Sequence, residues 1–256
     1  MAPRIEEIVR HFRENGLKVL LQRPANVRDL LALTRTPLLP DIDFRHLTVD
    51  PTSYVAADYR HIASDLVLKV PFRTRQDGRR RTLTLYILIE HQSEPDPLMI
   101  LRVLEYLVQV YKGQVRAWLR THRSLAGFRL QPVLPVVLYT GLQRWDDLGR
   151  LVEQVDGGAL LAELVPEFRP LFVSLPGLPS ERLEKEGGYF GWILELVQQR
   201  SAPFESFATL VAQVVSQLEE MPAAERDRWL ELLSYLVAMI YHDRAVPERE
   251  GLRERV

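Results

Sequence analysis

Thr82-Leu83-Thr84-Leu85-Tyr86-Ile87-Leu88-Ile89-Glu90-His91-Gln92 is the stretch on which the fold turns. It is dense in apolar, aromatic and β-branched residues and ends abruptly in three polar ones, as a strand does when it emerges from a core. Side chains alternate between faces along a strand, so Glu90 and Gln92 share a face and His91 takes the other. A second, shorter run, Ser64-Asp65-Leu66-Val67-Leu68-Lys69-Val70, has the same character and carries an acid at its start. If the two strands pair, Asp65 meets Glu90, and two carboxylates can surround one divalent cation. Metal-dependent nucleases use such an arrangement.

Between the two runs lies Arg73-Thr74-Arg75-Gln76-Asp77-Gly78-Arg79-Arg80-Arg81, with five arginines in nine residues. Asp77-Gly78 is a strong turn signal, so the segment reads as a β-hairpin with a long basic tip. Arg73, Arg75, Arg79, Arg80 and Arg81 would suit a finger gripping a phosphate backbone. They would equally suit a solvated turn kept soluble by charge.

Working outward, Asn26 caps an expected helix over 27–33. Leu98 to about His122 reads as a long helix, with an apolar set at Leu98, Leu101, Leu104, Leu107, Val108, Tyr111, Val115, Trp118 and Leu119. Pro132 to Tyr139 is nearly all apolar, as befits a strand buried on both faces. Leu171 to Leu175 is a shorter strand candidate, and helical patterns follow over roughly 181–200, 205–219 and 224–241. The order is that of an α/β sandwich with helices added at the carboxyl end. We expect a domain over 1–178, a helical extension over 179–246 and a charged tail over 247–256.

The 256 residues contain no cysteine, which excludes disulfides, thiolate metal sites and cysteine nucleophiles. No apolar stretch approaches the ~20 residues that cross a bilayer, and the expectation is a cytoplasmic protein with no membrane partner. The net charge of −1 conceals an asymmetry. Residues 1–150 hold 23 Lys or Arg against 16 Asp or Glu, and residues 151–256 hold 10 against 18. A polyanion would be drawn to the first part and repelled by the second. No paired histidines have metalloprotease spacing, and no Gly-x-Ser-x-Gly elbow is present.

Phosphodiester hydrolysis needs an activated water and neutralisation of developing charge, and a cation held by carboxylates supplies both. Magnesium keeps several waters, so one or two carboxylates suffice. Asp65 and Glu90 are the candidate ligands, with the backbone carbonyl of His91 as a third. Gln92 can hydrogen-bond the attacking water or a phosphate oxygen through its amide. The His91 side chain is expected to pack or hydrogen-bond beneath the sheet.

Glu90-His91-Gln92-Ser93, preceded by Leu88-Ile89 and followed by Met99 and Arg102, resembles the Rpn family. These are recombination-promoting nucleases, also labelled transposases, within the PD-(D/E)XK nuclease superfamily. Further landmarks agree in order: Leu17-Lys18, Pro24-Ala25-Asn26, Leu30-Leu31, Phe44, Ser64-Asp65-Leu66, and Val136 to Gly141 with Trp145. The resemblance covers roughly residues 12–150.

It implies a restriction-endonuclease-like mixed sheet flanked by helices, magnesium as cofactor (manganese as a substitute) and DNA as substrate. Asp65 and Glu90 would be the metal-binding acids. Gln92 would stand where the superfamily usually has lysine, which is similar to the family's own pattern. The family carries Asp shortly before a Phe-Lys pair; here Glu14 precedes Leu17-Lys18, a departure that leaves Glu14 an accessory acid on a longer arm. Arg102 would contact phosphate from the long helix. The expected activity is endonucleolytic cleavage with low sequence specificity, and a homodimer would cut both strands most simply. The alternatives are a nuclease fold kept as a binding module without turnover, and a strand-joining transposase.

Overall fold

The computed structural model describes residues 16–50, 66–76 and 79–255, without the side chains of 75–80 and 255. The chain folds into two compact units, Thr34–Gly177 and a second that joins the residues through Leu33 to Leu178–Val256.

The first unit is built on a five-stranded mixed sheet. Its strands are β1 (Thr48–Val49), β2 (Leu66–Gln76), β3 (Arg79–Gln92), β4 (Val133–Tyr139) and β5 (Leu171–Ser174), side by side in chain order. β1, β2 and β3 pair antiparallel, whereas β3, β4 and β5 pair parallel. A parallel neighbour needs a crossover, and the helix Met99–Leu119 supplies it between β3 and β4. The short edge strand β1 pairs Thr48 with Lys69 and Val49 with Leu68. It is held by Lys69, whose Nζ lies 3.1 Å from Asp50 Oδ2.

The basic segment differs from its sequence expectation. Gln76 pairs with Arg79, so the strands run on until only Asp77 and Gly78 separate them. Arg73 pairs with Thr82, Thr74 with Arg81, and Arg75 with Arg80. The arginines expected in a long tip are therefore rungs of the ladder. Backbone pairing does not need apolar side chains, so the ladder continues through polar residues.

The crossover helix (α2; α1 is Pro24–Leu33) also departs from expectation. Its buried residues are Met99, Ile100, Val103, Tyr106, Leu107, Val110 and Gln114. Of the apolar set read from the sequence, only Leu107 is among them. The helix carries apolar residues on two faces, and spacing alone does not reveal which one meets the sheet. The core it forms includes Val67, Tyr86, Leu88, Val137 and Leu148, with Trp145 and Phe172 packed against it.

In the second unit, α1 packs with α3 (Ser180–Glu186) and α4 (Gly188–Gln198), followed by α5 (Phe204–Glu219), α6 (Arg226–Asp243) and α7 (Val246–Arg255). Residues expected to be a charged tail thus form a helix, anchored by buried Leu252. Asn26 is not a cap: α1 starts at Pro24, whose missing N–H is tolerated there, and Asn26 lies inside it, fully buried. Its Nδ2 donates to the Leu20 carbonyl at 2.8 Å and its Oδ1 accepts from Arg228 Nε at 2.9 Å. Arg228 also pairs with Asp29, and Arg23 forks onto Glu231 at 2.6 and 2.5 Å. Burial pushes the Asp29 carboxyl above its usual range, and Arg228 pulls in the opposite direction.

Candidate active site

The row of β3 residues that faces α2 runs Tyr86, Leu88, Glu90, Gln92. The first two lie in the core, and Glu90 is the next position toward the strand's end, still only 3% exposed. A carboxylate so deep costs several kcal/mol unless partners replace its water. Two do so on one oxygen: Gln92 Nε2 donates to Glu90 Oε1 at 2.9 Å, and Arg102 Nη2 donates to the same atom at 3.1 Å.

Arg102 reaches down from the first turn of α2. Its Nη1 also meets Asp96 Oδ2 at 2.9 Å, so one guanidinium bridges two acids. Asp96 is itself fixed, because its Oδ1 accepts from the Leu98 amide at 2.9 Å where the helix begins. The Arg102 side chain is 36% exposed against 4% for Glu90. Arg102 is therefore more open to solvent than either acid it touches, although its Nε is buried.

His91 lies on the other face of β3. Its Nε2 is 2.8 Å from Thr140 Oγ1, and the Thr140 amide donates to the Gln92 carbonyl at 2.8 Å. These bonds tie the ends of two parallel strands, the part of an open α/β sheet where ligands commonly bind. Gly141 follows directly, and a Cβ there would overlap both the Ser93 carbonyl and the Tyr139 phenol. Tyr139 is wholly buried, donates to the Gln143 carbonyl at 2.9 Å and meets Trp145 edge-on.

Glu90, Gln92 and Arg102 are thus brought together. Asp65 and Glu14 lie outside the described residues; Leu66, the residue after Asp65, pairs with Ile89, the residue before Glu90. The hairpin arginines are elsewhere. Arg73 pairs with Thr82, eight positions before Glu90 on β3, or about 27 Å along an extended strand. Arg73 is exposed and donates to Asp43 Oδ2 at 3.3 Å.

Two members of this cluster escape sequence reasoning, Asp96 and Thr140. Asp96-Pro97 just before an apolar helical run is a helix-start signal, and that signal could have marked Asp96. Nothing in the sequence distinguishes Thr140 from any polar residue after a strand.

As a cation site, Glu90 and Asp96 offer hard oxygen donors of the kind magnesium takes, with Gln92 alongside. Among the described residues no group of three or more His, Cys, Asp or Glu is placed to hold a metal. The donor set suits an ion that keeps most of its waters rather than a closed protein cage.

A family described as "Putative transposase, YhgA-like" matches residues 13–228, well over half of the chain. The Recombination-promoting nuclease RpnA of Escherichia coli (strain K12) is 28% identical over 127 residues, which cover 49% of this chain and 39% of that protein. The matched part is thus less than half the length of that curated relative. No solved structure matches. Among the described residues, no helix is long and apolar enough to cross a membrane.

Proposed function

Because the chain belongs to the YhgA-like, Rpn-type family, we propose that it is a metal-dependent DNA endonuclease of the PD-(D/E)XK kind with low sequence specificity. The observation that carries this reading is the buried Glu90 carboxylate at the end of β3, gripped by Gln92 and Arg102. Asp65 and Glu90 would hold magnesium, or manganese in its place, with the His91 backbone carbonyl as a further oxygen donor. When bound, the cation would lower the pKa of a water and offset charge on the scissile phosphate.

The remaining work falls to the chain's own side chains. The Gln92 amide orients the attacking water or a phosphate oxygen by hydrogen bonding. Arg102, held at the site's opening by Asp96, offers a planar fork to a phosphate. The hairpin register assigns Arg73, Arg75 and Arg80 to one face and Arg79 and Arg81 to the other, and these arginines would position the duplex without reading its sequence. Glu14 would be an accessory acid.

A second reading is favoured by one observation: Glu90 already has a cationic partner in Arg102. A nuclease fold kept for binding alone would keep such an internal pair. A strand-joining transposase would need a third acid, for which Asp96, sharing Arg102 with Glu90, is the described candidate. Nicking of supercoiled plasmid with magnesium or with chelator separates the readings. An active endonuclease nicks only with the metal, and Asp65→Ala abolishes nicking while the circular dichroism spectrum is unchanged. Equal nicking by Asp65→Ala would defeat the proposal. Unaltered DNA affinity with no nicking in magnesium, or in manganese in its place, would favour the binding module.

A further inference from the structure

The face of α2 turned away from the sheet bears Leu98, Leu101, Glu105, Val108, Lys112, Val115 and Leu119, at successive spacings of three and four. Such alternation generates a narrow seam along one side of a helix. The seam is open: Leu98 is 55% exposed, Leu101 48%, Val108 41% and Leu119 46%. Glu105 and Lys112 are exposed as well. A helix of this length presents a strip about 31 Å long.

Leucine and valine at heptad spacing on an exposed face point to a partner helix. The charges identify which partner. Glu105 and Lys112 have no ion-pair or hydrogen-bond partner among the described residues. They stand seven residues apart, too far to meet on one straight helix, where pairs form at three or four. They are arranged symmetrically about the middle of the seam, as are Leu98 and Leu119. Turning the helix end over end therefore lays Glu105 against Lys112 of a second copy, and Lys112 against its Glu105. A parallel copy would instead set acid against acid and base against base.

We infer that this chain self-associates as an antiparallel two-fold dimer through the outer face of α2, with Glu105 of each copy paired to Lys112 of the other. A two-fold interface is self-complementary by construction, and the seam meets that condition in both its apolar and its charged positions. Polar residues within an otherwise apolar seam fix register and orientation, which is the part this pair plays. The inference stands on α2 alone and does not depend on catalysis.

Sedimentation equilibrium of the full chain tests it, with far-ultraviolet circular dichroism as a check on folding. The wild type sediments as a dimer at about 100 µM or below, the range of a small interface. Leu101→Asp, at an exposed position, yields a folded monomer. Glu105→Lys or Lys112→Glu alone weakens the dimer about tenfold, because two attractive pairs become repulsive. Glu105→Lys/Lys112→Glu restores wild-type affinity, and an equimolar mixture of the two single variants forms heterodimers. A wild type that stays monomeric across this range overturns the inference. So does a dimer whose affinity is indifferent to the charge reversals or to Leu101→Asp.

Discussion

Arg102 Nη2 lies 3.1 Å from Glu90 Oε1, and this pairing joins the crossover helix to the end of the strand before it. A guanidinium here does for the buried carboxylate what a bound cation would do: it supplies positive charge where water has been excluded. Asp96 holds the same guanidinium from the other side. One guanidinium thus serves two acids, and the Arg102 side chain is more exposed than either of them.

Replacing that member should reveal the exchange. Arg102→Gln leaves Glu90 and Asp96 without their shared cation and should destabilise the protein by about 1–2 kcal/mol in chelator, less than a fully buried pair because solvent screens the guanidinium. Magnesium should recover part of the loss. Thermal unfolding of wild type and variant, each with and without the metal, checks this. An equal response of both proteins to magnesium would count against any cation near Glu90.

Glu90→Gln preserves size and hydrogen-bonding capacity while removing the charge. It should keep the fold and lower plasmid nicking by about 10²–10³-fold, the scale of losing a principal electrostatic contact. Initial nicking rates at saturating magnesium are the measurement.

Gly141→Ala should be far more damaging than a methyl usually is. The new Cβ would overlap the Ser93 carbonyl and the Tyr139 phenol, neither of which can yield without moving the strand ends. A loss of at least about 2 kcal/mol is expected by chemical denaturation. Gly141 lies immediately after Thr140, so nicking should fall further than stability explains.

Glu195 gives a test of pH dependence in the helical unit. It is buried in α4, and its Oε2 has no hydrogen-bond partner among the described residues. Burial raises its pKa, Ser180 opposes the rise by hydrogen bonding, and Glu184 adds to it. A raised folded pKa means the native state holds the proton more tightly than the unfolded chain. The stability this contributes is present below the unfolded value, about 4.3, and is lost as pH rises through the folded value. Glu195→Gln should therefore be more stable than wild type at neutral pH, with the advantage shrinking toward about pH 4. Urea unfolding of both proteins across that range measures it.

Much of this architecture can be read from the chain. The apolar run ending at Glu90 marks β3, Pro132 to Tyr139 marks β4, and the carboxyl-terminal helices follow from their periodicity. Other features depend on contacts that a single sequence does not encode. Spacing misidentifies the buried face of α2 because Leu101, Val108 and Leu119 are as apolar as Val103 and Val110, and only the sheet decides between them. Asn26 has the composition of a cap, but Arg228, about two hundred residues away, makes it a buried anchor. Charge makes the hairpin's tip read as long, whereas the ladder runs on through the arginines to Gln76 and Arg79. The nearness of Glu90 to Gln92 follows from strand period, but the bridge from Arg102 to Asp96 is a consequence of how α2 starts.

Glu90, with Asp65, is proposed to grip a hard divalent cation. Titration calorimetry with magnesium and manganese on the full-length wild type, Asp65→Ala and Glu90→Gln addresses it without relying on turnover. Saturable binding to the wild type that either substitution abolishes, with folding intact, is the expected result. Binding of the same affinity in all three proteins would contradict it.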